Sequence, residues 1–181
     1  MKQPYFSTFQ LILLAFFAGL VVVAKISLKL PLQLPGHSGL FWMAIIIVAS
    51  QVVPRPGAAS LVGLTSGILA AFLGMGDLGA LNTFFSYLAV GVFTDLALFI
   101  LRSPENLVNA ALIGMLGHLG KFLVKWLFGI GAGAPVGFLA TGLAWSFVGY
   151  VVWGALGGLL GALTLKALRK AGFFAYLMEK R

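Results

Sequence analysis

The chain reads as long apolar stretches interrupted by short clusters of proline, glycine and charge. A stretch of about 20 mostly apolar residues is what a helix needs to cross the hydrocarbon of a bilayer. The pattern predicts helices at about 6–27, 39–53, 58–75, 80–101, 106–128 and 136–165. The first carries Lys25 and Lys29 at its far edge. Its apolar core continues through Val21, Val22 and Val23, longer than that of a signal peptide, so it reads as a retained helix. The second is short and stops at Pro54-Arg55-Pro56-Gly57, where two prolines and a glycine force a tight turn. The third ends at Gly74-Met75-Gly76-Asp77 and the fourth at Arg102-Ser103-Pro104-Glu105. Gly131-Ala132-Gly133-Ala134-Pro135 separates the last two. The expected architecture is all-α: one transmembrane domain, residues 1–181, built as a bundle of six helices.

Composition supports a bilayer rather than water as the solvent. Hydrophobic residues make up 61% of the chain and charged residues 9%, against about 25% charged in a soluble domain. Lys and Arg number 12 against 4 Asp and Glu, a net charge of +8. An even helix count puts both termini on one side. With the termini cytoplasmic, that side receives Lys2, Arg55, Arg102, Lys166, Arg169, Lys170, Lys180 and Arg181, and the outer side receives Lys25, Lys29, Lys121 and Lys125. Eight against four satisfies the positive-inside bias and predicts a multi-pass protein of the cell (inner) membrane. The basic C-terminus is then expected to meet anionic lipid heads or a cytoplasmic partner, with no nucleic acid involved.

The inventory of reactive groups narrows the function further. There is no Cys, and two His with four scattered acids do not make a metal cage. No Walker-type loop, His-Glu-x-x-His helix or Gly-x-Ser-x-Gly elbow is present. No enzyme activity, cofactor or metal is expected. The 181 residues hold no soluble nucleotide-binding domain, so ATP-driven work would come from another subunit.

Ionisable groups inside spans cost several kcal/mol unless they meet water or a partner, which makes each one a candidate. His118, Lys121 and Lys125 fall within about 60° of each other on the fifth helix, with Gly114 on the same stripe. Such a stripe suits a carboxylate, phosphate or electron-rich ring if it faces the bundle interior. Lys125 has a second reading, snorkelling to the head groups. Asn82 and Ser86 share a face at the outer start of the fourth helix, with Thr83 and Tyr87 adjoining. Trp145 either stacks on a planar ligand or packs in the core. The connection Leu30-Pro31-Leu32-Gln33-Leu34-Pro35-Gly36-His37-Ser38-Gly39 reads as a plain outer loop or as a lid that brings His37 over the bundle mouth. Asp95 is the acid plainly within a span. It is expected to form a structural ion pair with Arg55, the rival role being proton or cation coupling. Gly63/Gly67, Gly154/Gly158 and Gly157/Gly161 predict close helix packing, and Ala15/Gly19 repeats the spacing on the first helix.

Ala15-x-x-x-Gly19, Leu30-Pro31 through Pro35-Gly36-His37, Pro54-Arg55-Pro56-Gly57, the glycine-rich third helix and the basic C-terminus together resemble the substrate-binding S component of an energy-coupling factor (ECF) transporter. The resemblance covers nearly the whole chain as architecture. It implies a vitamin or related micronutrient held near the outer face under the loop joining helices one and two. It also implies a transmembrane coupling subunit, docked through small residues of the first helix, and two cytoplasmic ATPase subunits. The family's docking motif is commonly Ala-x-x-x-Ala, and here Gly19 takes the second place. The metal-specific branch begins Met-His, whereas this chain begins Met1-Lys2. The competing classes are a secondary transporter or channel coupled through Asp95, and a non-transport membrane scaffold.

Overall fold

The computed structural model describes residues 4–27, 36–76, 78–133 and 136–175, without the side chains of 136–141, 143 and 144. Lys2, Lys29, the 30–35 stretch, Asp77, Ala134, Pro135, Lys180 and Arg181 lie outside the described residues. The described chain is helical: α1 (Thr8–Ser27), α2 (Gly39–Val52), α3 (Ala58–Phe72), α4 (Gly79–Leu101), α5 (Leu107–Gly131) and α6 (Val136–Lys170). Among these, α1, α4, α5 and the Trp145–Lys170 part of α6 are long and apolar enough to cross a membrane. The chain is an all-helical, membrane-embedded protein. The two remaining helices, α2 and α3, have 14 and 15 residues, about 21–23 Å at 1.5 Å per residue.

Several helix ends have a visible cause. Gly74, at φ +64°, closes α3 in a Schellman turn: its N–H donates to the Ala71 carbonyl at 3.1 Å, and the Met75 N–H donates to that of Ala70 at 2.9 Å. That stop comes three residues before the expected one at 75. Glycines 133 and 172 end α5 and α6 in the same left-handed conformation. Here the helices run past the expected 128 and 165. Lys166, Arg169 and Lys170 therefore belong to the end of α6, where cations offset the negative end of the helix dipole. Asn106 caps α5 by accepting from the N–H groups of Val108 (2.9 Å) and Asn109 (3.3 Å).

Around the bundle, neighbours follow the circuit α1–α2–α6–α5–α4–α3–α1. Helix α2 also touches α3, α4 and α5, and ten of its 14 residues are buried. It is the axis of the fold. Close approach depends on glycine, as its spacing predicted. A Cβ at Gly158 would lie 2.7 Å from the Ala110 carbonyl carbon of α5, and one at Gly157 would lie 2.8 Å from the Met43 Cβ of α2. Gly63 and Gly67 bring α3 against the Tyr87 and Phe84 backbone of α4.

Two ends can be distinguished. The Pro54–Gly57 turn, the 102–106 turn, Tyr5 and the C-terminal end of α6 gather at one end, where four contacts tie the first turn to Tyr5 and the second to α6. The Arg55 guanidinium donates to the Tyr5 carbonyl and lies 5.6 Å from the Tyr5 ring centroid. Tyr5 Oη donates to the Pro56 carbonyl at 3.1 Å. Arg169 pairs with Glu105. We call this the proline end. The entry to α2 and the turn after α3 lie at the other end, where the cavity described next opens.

Candidate functional site

A cavity of about 660 Å³ opens at the end opposite the proline turns. Helix α1 contributes Lys25 and Ile26, the entry to α2 contributes Gly36, His37 and Ser38, and the turn after α3 contributes Leu73 to Gly76. Asn82, Thr83, Ser86 and Tyr87 line it from α4, Lys121 and Lys125 from α5, and Tyr150 from α6. Thr83 fixes one wall, its hydroxyl donating to the Met75 carbonyl at 2.9 Å and tying the α3–α4 turn to α4.

The structure therefore brings His37, Asn82, Ser86, Lys121 and Lys125 to one cavity. His118 is fully buried beside it. Its Nδ1 sits 3.0 Å from the Tyr150 carbonyl oxygen, which can only accept, so Nδ1 carries the hydrogen and Nε2 is left as an acceptor. The ring packs edge-on to Trp42 at 5.0 Å and against Tyr150 at 4.6 Å. His118 acts there as a strut between α5, α6 and the start of α2. Trp145 is 59% exposed and does not line the cavity.

Lys121 is half-buried, and its ammonium lies over two rings. Its Nζ lies 5.2 Å from the Trp42 ring centroid and 5.3 Å from that of Tyr87. A cation over an aromatic face is worth about 0.5–2 kcal/mol, more where water is excluded. From the opposite wall, Lys25 Nζ donates to Ser38 Oγ at 3.0 Å, holding the end of α1 to the entry of α2. Gly36 makes that entry possible: its φ of +81° suits only glycine, and a Cβ there would meet the His118 ring at 3.2 Å.

Four buried polar groups on α4 lack a hydrogen-bond partner among the described residues, and all but Thr94 Oγ1 belong to residues that line the cavity. Those three are Asn82 Nδ2, Ser86 Oγ and Tyr87 Oη. Their residues are 7%, 2% and 3% exposed. Leaving such a group unsatisfied costs about 1–3 kcal/mol, so a cluster of them on one cavity wall is a place prepared for a polar guest.

Arg55 and Asp95 are not brought together. Asp95 reaches across from α4 to the first turn of α3, accepting from Ser60 N–H (2.8 Å), Ser60 Oγ–H (2.6 Å) and Ala59 N–H (3.3 Å). The α3 N-terminus follows Gly57, which has no side chain to cap it, and the exposed N–H groups draw the carboxylate instead. Arg55 is engaged with Tyr5. Ala15 and Gly19 lie on the outward side of α1, where a Cβ at Gly19 would meet nothing within 4 Å.

Sequence reasoning left out Lys25, Ser38, Trp42 and Tyr150 as site residues. Lys25 reads equally well as a helix-edge charge, and Trp42 as an interface tryptophan. Tyr87 was visible beside Ser86, and the spacing of Asn82, Ser86 and Tyr87 near one helix start was the available signal.

Fold and site define a membrane-embedded helical bundle with a polar, lysine-bearing cavity at one end. Comparison with protein-family models, curated proteins and solved structures finds no match.

Proposed function

We propose that the protein is the substrate-capture subunit of an energy-coupling factor type transporter, taking a vitamin or related micronutrient from outside the cell membrane. All six helices then serve as spans, with both termini and the proline end cytoplasmic. That end carries Arg55, Arg102, Lys166, Arg169 and Lys170, against Lys25, Lys121 and Lys125 toward the cavity end, in keeping with the positive-inside bias. The cavity opens outward, and substrate is released inward when a transmembrane coupling subunit with two cytoplasmic ATPases engages the bundle. The smooth strip at Ala15 and Gly19, flanked by exposed Leu11, Ile12 and Phe16, is the docking face on α1.

The observation that carries this reading is the cavity of about 660 Å³ bordered by Asn82 Nδ2, Ser86 Oγ and Tyr87 Oη, which have no hydrogen-bond partner among the described residues. Pockets of roughly 300–1,000 Å³ are the size that takes a small organic ligand. Coupling through Asp95 gains no support, because capping α3 already employs its carboxylate.

The test is reconstitution. Purified protein alone should bind its ligand, and vesicles should accumulate it only when the coupling subunit, the ATPases and ATP are added. Gly19→Leu should leave binding intact and reduce uptake severalfold by roughening the docking face. Uptake that continues without ATP and stops with Asp95→Asn would replace this reading by secondary transport.

A further inference from the structure

We infer that α4 reads the guest: Asn82, Ser86 and Tyr87 donate hydrogen bonds to a small organic molecule whose polar edge carries two or more carbonyl oxygens or ring nitrogens. The inference deepens the capture reading above and rests on it. It asks for acceptors on the guest and for no particular charge.

Three observations converge. First, unpartnered donors collect on one stretch of wall. Among the described residues, the buried side-chain atoms without a hydrogen-bond partner divide in two: those of Asn82, Ser86 and Tyr87 belong to residues lining the cavity, and those of Trp42, Thr94 and His118 do not. Asn82 and Ser86 lie four residues apart on α4, on one face and about 6 Å apart along the axis. Tyr87 adjoins Ser86. Second, Ser86 forgoes a bond that its neighbours in kind make. A helical hydroxyl in apolar surroundings can donate to a carbonyl of the preceding turn. Ser50, Ser66, Thr83 and Thr164 all do so, at 2.7–2.9 Å. Ser86 does not, and Thr94, away from the cavity, is the other exception. Third, this stretch of α4 is clamped from both sides. A Cβ at Gly67 of α3 would lie 2.9 Å from the Phe84 carbonyl oxygen, and one at Gly120 of α5 would lie 2.8 Å from that of Ala89. Donors on a clamped helix lose little freedom when a guest arrives.

The chemistry of the guest follows from the donors. Asn82 Nδ2 can only donate, and both hydroxyls have a hydrogen to give. A carbonyl oxygen or a ring nitrogen accepts such bonds, whereas an alkyl surface or a lone ammonium does not. Leu73, Met75 and Leu78 line the same cavity and offer contact to an apolar flank. A volume of about 660 Å³ takes a small organic molecule whole.

The experiment removes one polar group at a time. Wild-type protein in mild detergent is incubated with the small-molecule fraction of a bacterial cell extract, rapidly desalted, and its retained molecules are identified by mass spectrometry. Asn82→Leu, Ser86→Ala, Tyr87→Phe and Thr94→Val are treated alongside, with thermal unfolding of each empty protein recorded. The wild type should retain a molecule with at least two carbonyl or ring-nitrogen acceptors. Each of the three cavity variants should lower that retention about tenfold. None should unfold at a lower temperature, because the groups removed have no protein partner to lose. Thr94→Val deletes a buried hydroxyl away from the cavity and should leave retention unchanged. Tyr87→Phe keeps the ring beneath Lys121 and decides the matter if a harsher variant does not fold. A retained molecule without such acceptors overturns the inference and leaves the capture reading standing. So does equal retention by the three cavity variants, or a loss matched by a fall in their unfolding temperature, which would assign these groups to the fold. Retention of nothing by the wild type overturns both.

Discussion

At the scale of single residues, the site depends on a few atoms that have no room to move. Gly39 is one. A Cβ there would stand 2.7 Å from both ring nitrogens of His118, closer than any real packing tolerates. Gly39→Ala should therefore destabilise the protein by about 1–3 kcal/mol, as overpacked cores do, seen as a lower unfolding temperature in detergent. His118→Ala removes the opposing ring, so the double variant should lose less than the two single losses summed, the mark of residues in contact. The stripe of His118, Lys121 and Lys125 was legible as 3.6-residue periodicity. What periodicity could not tell was that its members divide their roles. His118 is a buried strut, Lys121 rests on rings, and Lys125 is exposed at the rim. That division depends on which neighbour each side chain meets, and Trp42 comes from a helix far away in the chain.

Among the elements, α3 is stabilised by a residue that is not its own. Asp95 on α4 supplies the cap that Gly57 lacks. Asp95→Ala should cost about 0.5–2 kcal/mol, typical of losing a capping side chain. Asp95→Asn, which keeps an acceptor, should cost less. Thermal unfolding measures both, and ligand binding at the cavity should persist in each. The helices themselves were readable because proline and glycine interrupt apolar runs unambiguously, as at Pro54–Gly57. Helix ends were less so. Lys166 looked like the beginning of a tail, yet a cation is at home in the final turns of a helix, and α6 continues to Lys170. The capping of α3 was out of reach for a different reason. The pairing of Asp95 with Ser60 spans 35 residues, and it exists only once α3 and α4 have packed in a particular register. The expected partner, Arg55, lies in a neighbouring loop and is engaged with Tyr5 instead.

For the whole molecule, the decisive question is which end faces out. The natural absence of cysteine makes the answer accessible. A single Leu78→Cys at the cavity end should react with a membrane-impermeant maleimide applied to intact cells, and a single Ser103→Cys should react only after the membrane is opened. The reverse pattern would turn the bundle over and place the cavity inward. A last consequence follows from the brevity of α2 and α3. In the proposed six-span arrangement, two rods of about 21–23 Å stand in a hydrocarbon slab about 30 Å deep, and wet space would then indent the slab by several ångströms where they fall short. Lipid tails of greater length deepen that well, and shorter tails make it shallow. The ease with which a solute reaches the floor should thus vary with the acyl chains of the host membrane, even though no lipid touches the floor itself.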